Sequence, residues 1–405
     1  MKIATLPEEF QAALPILETI EAAGYEAYFV GGSVRDTLLN KPIHDVDIAT
    51  SAFPAEVKAL FEKTVDTGIE HGTVMILDHG QGYETTTFRT ESDYTDFRRP
   101  DEVTFVRSLK EDLKRRDFTV NALALTHTGE VIDLFDGISD LENHVLRAVG
   151  KAEERFHEDA LRMMRVVRFA AQLDFKIENN TQQAIQDNAA LLANISIERT
   201  NVEFTKLMQG RAATYGMLEL LKNRLNLYMP GLENADIDLI GMAELLKVAQ
   251  PTDDTQAWGL LVFELGLTPE DAGSFLRKWK HSNELIKTIQ TSTALLNVLR
   301  LGEASDWELY MTGSALPTAI AVANLSELQL DTDELAARYD QLPIHARHEL
   351  ALTGSDLMTN LDVKPGPILG KILNQLEHEV VENKVANLKP ALLYRAVEMM
   401  EKEKK

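Results

Sequence analysis

The spacing of apolar residues differs between the first 150 residues of the chain and the remainder. In the first part, short apolar runs bounded by turn-forming residues predict five strands, at Ala27–Val30, Val46–Ala49, Thr73–Leu77, Tyr83–Phe88 and Val131–Leu134. The residues His79 to Gly82 between the third and fourth runs predict a hairpin turn. Helical segments separate the other runs, so this part is predicted to fold around one small sheet.

Helix-start signals support this alternation. Pro is favoured in the first turn of a helix and Gly just beyond its end, so Leu14-Pro15 predicts the start of a helix that ends before Gly24. Ser51 to Pro54 predicts the start of another helix. A third is expected directly after Gly31-Gly32, with Ser33 as its N-terminal cap.

After about residue 150 the pattern becomes helical. From Glu153 to Leu173 there is no Pro or Gly, and apolar residues recur near helical spacing, which predicts one continuous helix. Later segments are amphipathic and are separated by turns such as Met229-Pro230-Gly231. The predicted fold class is therefore α+β, with a small mixed-sheet head followed by an all-helical remainder.

Length and composition narrow this picture. A chain of 405 residues exceeds a single hydrophobic core and predicts two to four units. The absence of cysteine excludes disulfides, thiolate metal sites and cysteine nucleophiles. The first residues form no apolar signal core, and no stretch approaches 18 uninterrupted apolar residues, so we expect a cytoplasmic protein without a membrane partner.

The net charge of −23 is unusual for a protein that binds nucleic acid, because neutralising phosphates supplies much of the affinity of such proteins. The charge is uneven, however, since the segment from Arg89 to Asp117 contains eight basic and eight acidic residues. The sequence is compatible with a locally positive cleft on an acidic body. It predicts modest affinity for RNA, weakened steeply by salt.

The chemistry is concentrated near the first strand. Gly31-Gly32 allows the backbone to turn tightly and approach an anion, and Arg35 places a fixed positive charge beside that turn. If Asp45 and Asp47 alternate along a strand, both carboxylates face one side. Such a pair can hold two Mg²⁺ ions for phosphoryl chemistry, although aspartates at a strand end also serve simply to cap turns.

These motifs carry a resemblance. GGSVRD followed by HDVDIAT, with later segments at Tyr83–Arg89, Arg115–Asn121 and Glu158–Arg165, resembles the bacterial CCA-adding tRNA nucleotidyltransferases of the polymerase-β-like superfamily. The specific resemblance covers residues from about 25 to 205. It implies a catalytic head at 1–147, a neck at 148–218, a body at 219–315 and a tRNA-binding tail at 316–405.

The resemblance also implies roles for site residues. Asp45 and Asp47 would be catalytic and would hold the metal ions, while Gly32 and Arg35 would bind phosphates. Arg116 would contact the nucleotide, although a basic residue at a helix C-terminus has a structural use as well. Glu84 is similar in position to a third carboxylate of the superfamily and is left out of the predicted site.

Asp159, Arg162, Arg165 and Arg168 recur at intervals of three. Such spacing usually indicates a solvated ladder of ion pairs. Asp159 can only accept and Arg162 can only donate, however, so the pair complements the base edges of cytosine and adenine and leaves those of uracil and guanine unpaired. In the resembling family this pair serves as a protein template, and Arg165 and Arg168 would extend it toward the phosphates.

The implied function is template-independent addition of CCA to tRNA from CTP and ATP. The segment Thr90–Pro100 is similar to a mobile lever that distinguishes full CCA addition from CC-only addition. The alternatives are a bacterial poly(A) polymerase, a CC- or A-only enzyme, a small-molecule nucleotidyltransferase and an inactive RNA-binding scaffold. The sequence leaves the oligomeric state open, a homodimer included.

Overall fold

The computed structural model describes residues 1–91, 103–326, 328, 330–361 and 366–403. The chain divides into two compact units, Met1–Asp236 and Ile237–Lys405. The fold class is α+β, as predicted, whereas the finer division into head, neck, body and tail stays a prediction. Most of the predicted lever, Thr90–Pro100, lies outside the described residues.

The strands and helices of the first unit alternate before helices take over. The strands are β1 Ala27–Val30, β2 Asp47–Thr50, β3 Thr64–Gly68, β4 Thr73–Asp78, β5 Gln81–Thr87, β6 Arg89–Glu91, β7 Val103–Phe105, β8 Leu123–Leu125, β9 Val131–Asp133, β10 Val145–Leu146 and β11 Lys176–Ile177. The helices are α1 Glu8–Ala22, α2 Gly32–Leu38, α3 Pro54–Leu60, α4 Leu109–Lys114, α5 Gly137–Glu142, α6 Ala152–Glu158, α7 Leu161–Leu173, α8 Asn179–Asn188, α9 Ile197–Met208 and α10 Ala213–Lys222.

A mixed sheet of seven strands in the order β3-β4-β5-β2-β1-β8-β9 organises the first unit. β2 runs antiparallel to β1, with Val30 opposite Asp47, and parallel to β5, with Ile48 opposite Thr85. The β1 side chains Phe29 and Val30 are buried, and the ring of Phe29 stacks on Phe10 of α1. This register places the turn after β1 beside the start of β2, where the site is found.

The prediction that a helix starts at Pro15 is wrong, because α1 begins at Glu8 and contains Pro15. The buried residues Phe10 and Ala13 continue the apolar face of the helix before the proline. Burial of that face outweighs the hydrogen bond that an interior proline removes, a cost of about 3 kcal/mol. Gly24 lies beyond the helix end with φ +91°, as expected.

The second unit is helical within the described residues. Its helices are α11 Asp236–Leu245, α12 Asp254–Glu264, α13 Pro269–Lys278, α14 Asn283–Leu301, α15 Asp306–Thr312, α16 Leu316–Leu325, α17 Thr332–Asp340, α18 Gly354–Leu361, α19 Pro367–Val381 and α20 Lys389–Glu403. One buried cluster joins α15, α19 and α20 through Tyr310, Leu376 and Leu392. Across the described ranges, no helix combines the length and apolar character needed to span a membrane.

Helix α7 is fixed in the first unit by unusually close neighbours. Gly216 of α10 faces it, and a Cβ at this position would lie 2.5 Å from the Cβ of Ala171 and 3.0 Å from the carbonyl oxygen of Val167. Gly210 approaches the backbone of Ala171 just as closely. These contacts leave α7 little freedom to shift sideways, which matters because its opposite face carries arginines.

We expect Gly216→Ala to lower the free energy of unfolding by about 1–3 kcal/mol, because the added methyl group forces two helix backbones apart. Urea unfolding followed by circular dichroism measures this change. Gly370→Ala is the matched control, since Gly370 also lies within a helix but has open space around its Cβ direction. That variant should be neutral or slightly stabilised, and an equal loss in both variants would contradict the close-packing argument.

Candidate active site

A cleft of about 830 Å³ lies in the first unit. It is bordered by the β1–α2 turn, the start of β2, the segment after α4, and one face each of α7 and α9. Its described lining includes nine arginine and lysine side chains but only four aspartates: Arg35, Arg89, Arg115, Arg116, Arg162, Arg165, Arg168, Arg199 and Lys206 against Asp45, Asp47, Asp117 and Asp159. The acidic chain therefore does contain a locally positive cleft.

The turn between β1 and α2 requires glycine at its first position. Gly31 adopts φ +75°, and a Cβ there would lie 3.2 Å from Nη1 of Arg116 and 3.6 Å from Oδ2 of Asp47. Gly32 faces Nη2 of Arg35, which would lie 3.5 Å from a Cβ at that position. The absence of side chains here leaves room for an anion or a cation between these charged groups.

Ser33 does not cap α2, contrary to the prediction. The helix already begins at Gly32, and Gly31 occupies the capping position. Ser33 is buried, and its hydroxyl donates a hydrogen bond to the carbonyl oxygen of Val30 at 3.1 Å. The tight glycine turn brings the helix start forward by one residue, so the serine closes the turn rather than capping the helix.

Asp45 and Asp47 both line the cleft, but they do not alternate on one strand as predicted. β2 begins at Asp47, opposite Val30, and Asp45 precedes it. The partner strand ends at Val30 because Gly31 turns the chain away. Burial raises the pKa of Asp47 above its ordinary value; Arg116 opposes this, and the charges of Glu84 and Asp45 add to it.

Arg116 is held at the edge of this acidic pair. Its Nη2 donates to the buried carboxylate of Asp112 at 3.3 Å, and its Nη1 donates to the carbonyl oxygen of Asn121 at 3.4 Å. Its Nε is buried and has no hydrogen-bond partner among the described residues. A buried donor without a partner is costly, so this nitrogen suits an acceptor on a bound ligand.

The predicted continuous helix from Glu153 to Leu173 is broken. α6 ends at Glu158 and α7 starts at Leu161, with Asp159 between them in an extended conformation of φ −143° and ψ 102°. Oδ1 of Asp159 accepts a hydrogen bond from the backbone N–H of Leu161 at 3.1 Å. Aspartate competes for backbone donors in this way, which explains a break that apolar spacing does not reveal.

Ion pairs fix the side chains in this part of the cleft. Asp159 pairs with Arg199 at 2.6 Å and Arg162 pairs with Glu158 at 2.6 Å. Arg165 pairs with Asp117 at 2.6 Å and Arg168 with Glu203 at 2.7 Å. The solvated ladder that such spacing usually indicates is therefore not what the structure shows, because these partners lie outside the set and Arg162 and Arg168 are only 8% and 7% exposed.

All nine predicted site residues lie in this one cleft: Gly32, Arg35, Asp45, Asp47, Arg116, Asp159, Arg162, Arg165 and Arg168. Sequence reasoning missed Arg199. It lines the cleft, and its Nη1 is buried without a hydrogen-bond partner in the described part of the chain. Arg199 and Glu203 are four residues apart and therefore share one face of a helix, which is the sequence signal that could have placed Arg199 beside the cleft.

Comparison with known proteins decides the family. A CCA-adding enzyme of Lactiplantibacillus plantarum is 58% identical over 97% of both chains, and one of Limosilactobacillus fermentum is 54% identical over 99% of this chain and 100% of its own. The chain belongs to the CCA-adding enzyme family. The predicted resemblance is thereby confirmed, and the protein is an enzyme of the nucleotidyltransferase class.

Structural and domain comparisons agree with this family. The crystal structure of the Bacillus stearothermophilus CCA-adding enzyme in complex with CTP superimposes with a TM-score of 0.88 at 38% identity, covering 98% of this chain and 99% of that one. Residues 27–147 match the Poly A polymerase head domain, 174–236 a probable RNA and SrmB binding site of polymerase A, and 249–396 the putative tRNA nucleotidyltransferase domain 2.

Asp117 links the head of this CCA-adding family member to α7. Arg165 donates two hydrogen bonds to its Oδ2, at 2.8 and 2.6 Å, and Asn121 donates one to Oδ1 at 3.1 Å. Burial by itself would raise the pKa of Asp117, but the Arg165 charge and these hydrogen bonds lower it to about 2. The ionised form is therefore favoured in the folded state.

We expect Asp117→Asn to lower the free energy of unfolding at pH 7 by on the order of 2 kcal/mol. A carboxyl group whose pKa is lower in the folded than in the unfolded state stabilises the fold at pH values above its unfolded-state pKa. This stabilisation is lost as the pH falls through the folded-state pKa. The difference between the unaltered chain and the variant should therefore be constant above about pH 5 and shrink from about pH 4 toward 2. Chemical unfolding at a series of pH values measures it.

Asp66→Asn is the control, because Asp66 forms an exposed pair with Lys58. Exposed pairs contribute little, so this variant should change stability only slightly. A pH-independent difference for Asp117→Asn would show that the carboxylate is not held ionised by Arg165.

Proposed function

We propose that the protein adds CCA to the 3′ end of tRNA from CTP and ATP and releases pyrophosphate. The observation that carries the proposal is the single cleft that combines an Asp45–Asp47 pair, a glycine turn with Arg35, and an Asp159–Arg162 pair. Enzymes named for CCA addition are 50 to 58% identical over nearly the whole chain, and a solved relative binds CTP. The lack of cysteine suits a reducing cytoplasm.

The aspartate pair fits a divalent cation. Carboxylate oxygens are the ligands that Mg²⁺ prefers. Burial and the neighbouring negative charges disfavour the ionised form of Asp47, and a bound cation would offset this cost. No group of three or more potential metal ligands occurs among the described residues. Water and nucleotide phosphates would therefore complete the coordination, which is usual for Mg²⁺ in phosphoryl transfer.

We take Mg²⁺ as the cofactor, with two ions held by Asp45 and Asp47. Mg²⁺ bound there would lower the pKa of the primer hydroxyl and stabilise the charge that develops on the phosphates. The terminal ribose hydroxyl loses its proton to solvent, its oxygen forms a bond to the α-phosphorus of the nucleotide, the α–β phosphoanhydride bond breaks, and pyrophosphate leaves with that electron pair. Arg35 and Arg116 orient the phosphates for this displacement.

Base choice follows from the hydrogen bonds that Asp159 and Arg162 can form, since the first only accepts and the second only donates. Cytosine and adenine each present an amino donor beside an unprotonated ring nitrogen, so a carboxylate acceptor and a guanidinium donor satisfy both. Uracil and guanine present a carbonyl beside a ring N–H, which leaves polar groups unpaired. Arg199 orients the Asp159 carboxylate, and Glu158 with the carbonyl oxygen of Arg115 orients Arg162.

The test is incubation with tRNA lacking CCA, with CTP and ATP separately and together, followed by sequencing of the 3′ ends. We expect CC from CTP alone and CCA from the mixture. A long adenosine tail from ATP would instead show a poly(A) polymerase, and addition that stops at CC in the mixture would show a CC-only enzyme. Either result would contradict the proposal.

Asp47→Asn is the inactive control in this assay. Losing one anionic ligand should lower turnover by several orders of magnitude, because a metal contributes several kcal/mol of transition-state stabilisation. Folding should persist, since removing one of two neighbouring like charges relieves repulsion when no metal is bound. A variant that keeps roughly a tenth of the activity at saturating Mg²⁺ would exclude Asp47 as an essential metal ligand.

A further inference from the structure

Phe169 of α7 lies at the meeting point of three guanidinium groups. Its ring centroid is 3.5 Å from Cζ of Arg168, 5.2 Å from Cζ of Arg35 and 5.5 Å from Cζ of Arg165. The ring lines the cleft but is only 5% exposed. Aromatic faces attract cations at these distances, so one ring contacts charges from both α2 and α7.

A carboxylate anchors each of these arginines through Nε. Arg35 donates to Asp36 at 2.9 Å, Arg165 to Asp117 at 2.8 Å and Arg168 to Glu203 at 2.7 Å. Glu203 also lies 3.5 Å from Nη1 of Arg165 and so bridges two of the three arginines.

Some terminal nitrogens of these arginines are also engaged, because Nη1 of Arg35 donates to Asn121 at 2.7 Å and Nη1 of Arg168 donates to Gln172 at 2.8 Å. A guanidinium has five N–H donors, so others remain for an anion. Each arginine is therefore held by a carboxylate, and all three guanidinium groups also contact the ring of Phe169.

The three guanidinium charges are alike and close, and the ring adds an attractive contact to that of the carboxylates, which offset their repulsion. Burial lowers the pKa of Arg168 from its ordinary value, and the charge of Arg165 acts in the same direction. Attraction to the face of Phe169 offsets part of this cost. Phe118 packs edge-on against the same ring, with centroids 5.6 Å apart, and so holds its plane in place.

We propose that Phe169 is a positioning residue whose ring holds Arg35, Arg165 and Arg168 together as one cradle for the triphosphate of the incoming nucleotide. The inference rests on the proposed function, because it takes a nucleoside triphosphate as the ligand. The ring acts through the arginines and contacts neither the base nor the reacting atoms. Its removal should therefore weaken binding of the phosphate chain and leave recognition of the nucleoside almost unchanged.

The test uses Phe169→Leu and Phe169→Met, which keep apolar bulk and remove the aromatic face. Equilibrium affinities for CTP, CMP and inorganic triphosphate are measured on the full chain at constant Mg²⁺. We expect CTP and inorganic triphosphate to bind about tenfold more weakly, while CMP changes by less than about twofold. Phe169→Tyr keeps an aromatic ring and should bind triphosphate with nearly the affinity of the unaltered chain.

Phe175→Leu is the matched control for lost packing. Phe175 is 1% exposed just beyond α7, and its ring packs edge-on against His144 with centroids 4.9 Å apart. This variant should lower the melting temperature about as much as Phe169→Leu does, because both lose a buried ring, but it should bind CTP normally. Thermal unfolding of every variant confirms that the binding measurements are made on folded protein.

Three results would overturn the inference: unchanged triphosphate binding in both Phe169→Leu and Phe169→Met, equal weakening in Phe175→Leu, or CMP binding that weakens as much as CTP binding. The last would mean that the ring contacts the nucleoside. Failure of the unaltered chain to bind CTP while it binds inorganic triphosphate would count against the proposed function alone, since the triphosphate measurement still tests the cradle.

Discussion

The pairing of buried and half-buried guanidinium groups with carboxylates from other segments is the constraint on which this site depends. Removing charged groups from water is costly unless each is paired and hydrogen-bonded. Glu158, Asp117 and Glu203 provide this pairing for Arg162, Arg165 and Arg168. Because each carboxylate belongs to a different segment, every pair also fixes the direction in which a guanidinium can present its remaining donors.

This constraint connects the backbone packing to the chemistry. Helix α7 carries the arginines on one face and lies against glycines of the α9–α10 region on the other. The sheet fixes the opposite wall, because the register of β1 with β2 sets Asp47 beside the Gly31 turn. The proposed recognition of base, phosphate and metal would thus depend on these two elements meeting at one cleft, and preorganisation of this kind is what electrostatic catalysis requires.

The features that the sequence predicted well are local ones. Gly31-Gly32, Arg35 and the Asp45–Asp47 pair lie within a few residues of a strong apolar strand, so the chain itself dictates their proximity. The resemblance supplied the roles of Asp159 and Arg162, and the structure places both in the same cleft as the aspartates.

The features that sequence reasoning missed depend on contacts that apolar spacing does not show, both local and distant in the chain. The break at Asp159 reflects a side-chain bond to the backbone and a partner, Arg199, that lies 40 residues away. Helix α1 extends through Pro15 because the sheet buries its apolar face. Neither effect is encoded in periodicity, since tertiary contacts override local propensity wherever they bury enough surface.

The central claim is that a protein carboxylate, anchored by Arg199, selects the incoming base. The most direct measurement compares the incorporation of CTP and UTP by the unaltered chain and by Asp159→Ala, using tRNA that lacks CCA. The account predicts that the preference for CTP over UTP falls by at least about tenfold in the variant, since the acceptor that excludes the uracil carbonyl is lost. A preference that stays within about a factor of two while the overall rate falls would show that Asp159 only supports the fold, and would contradict the account.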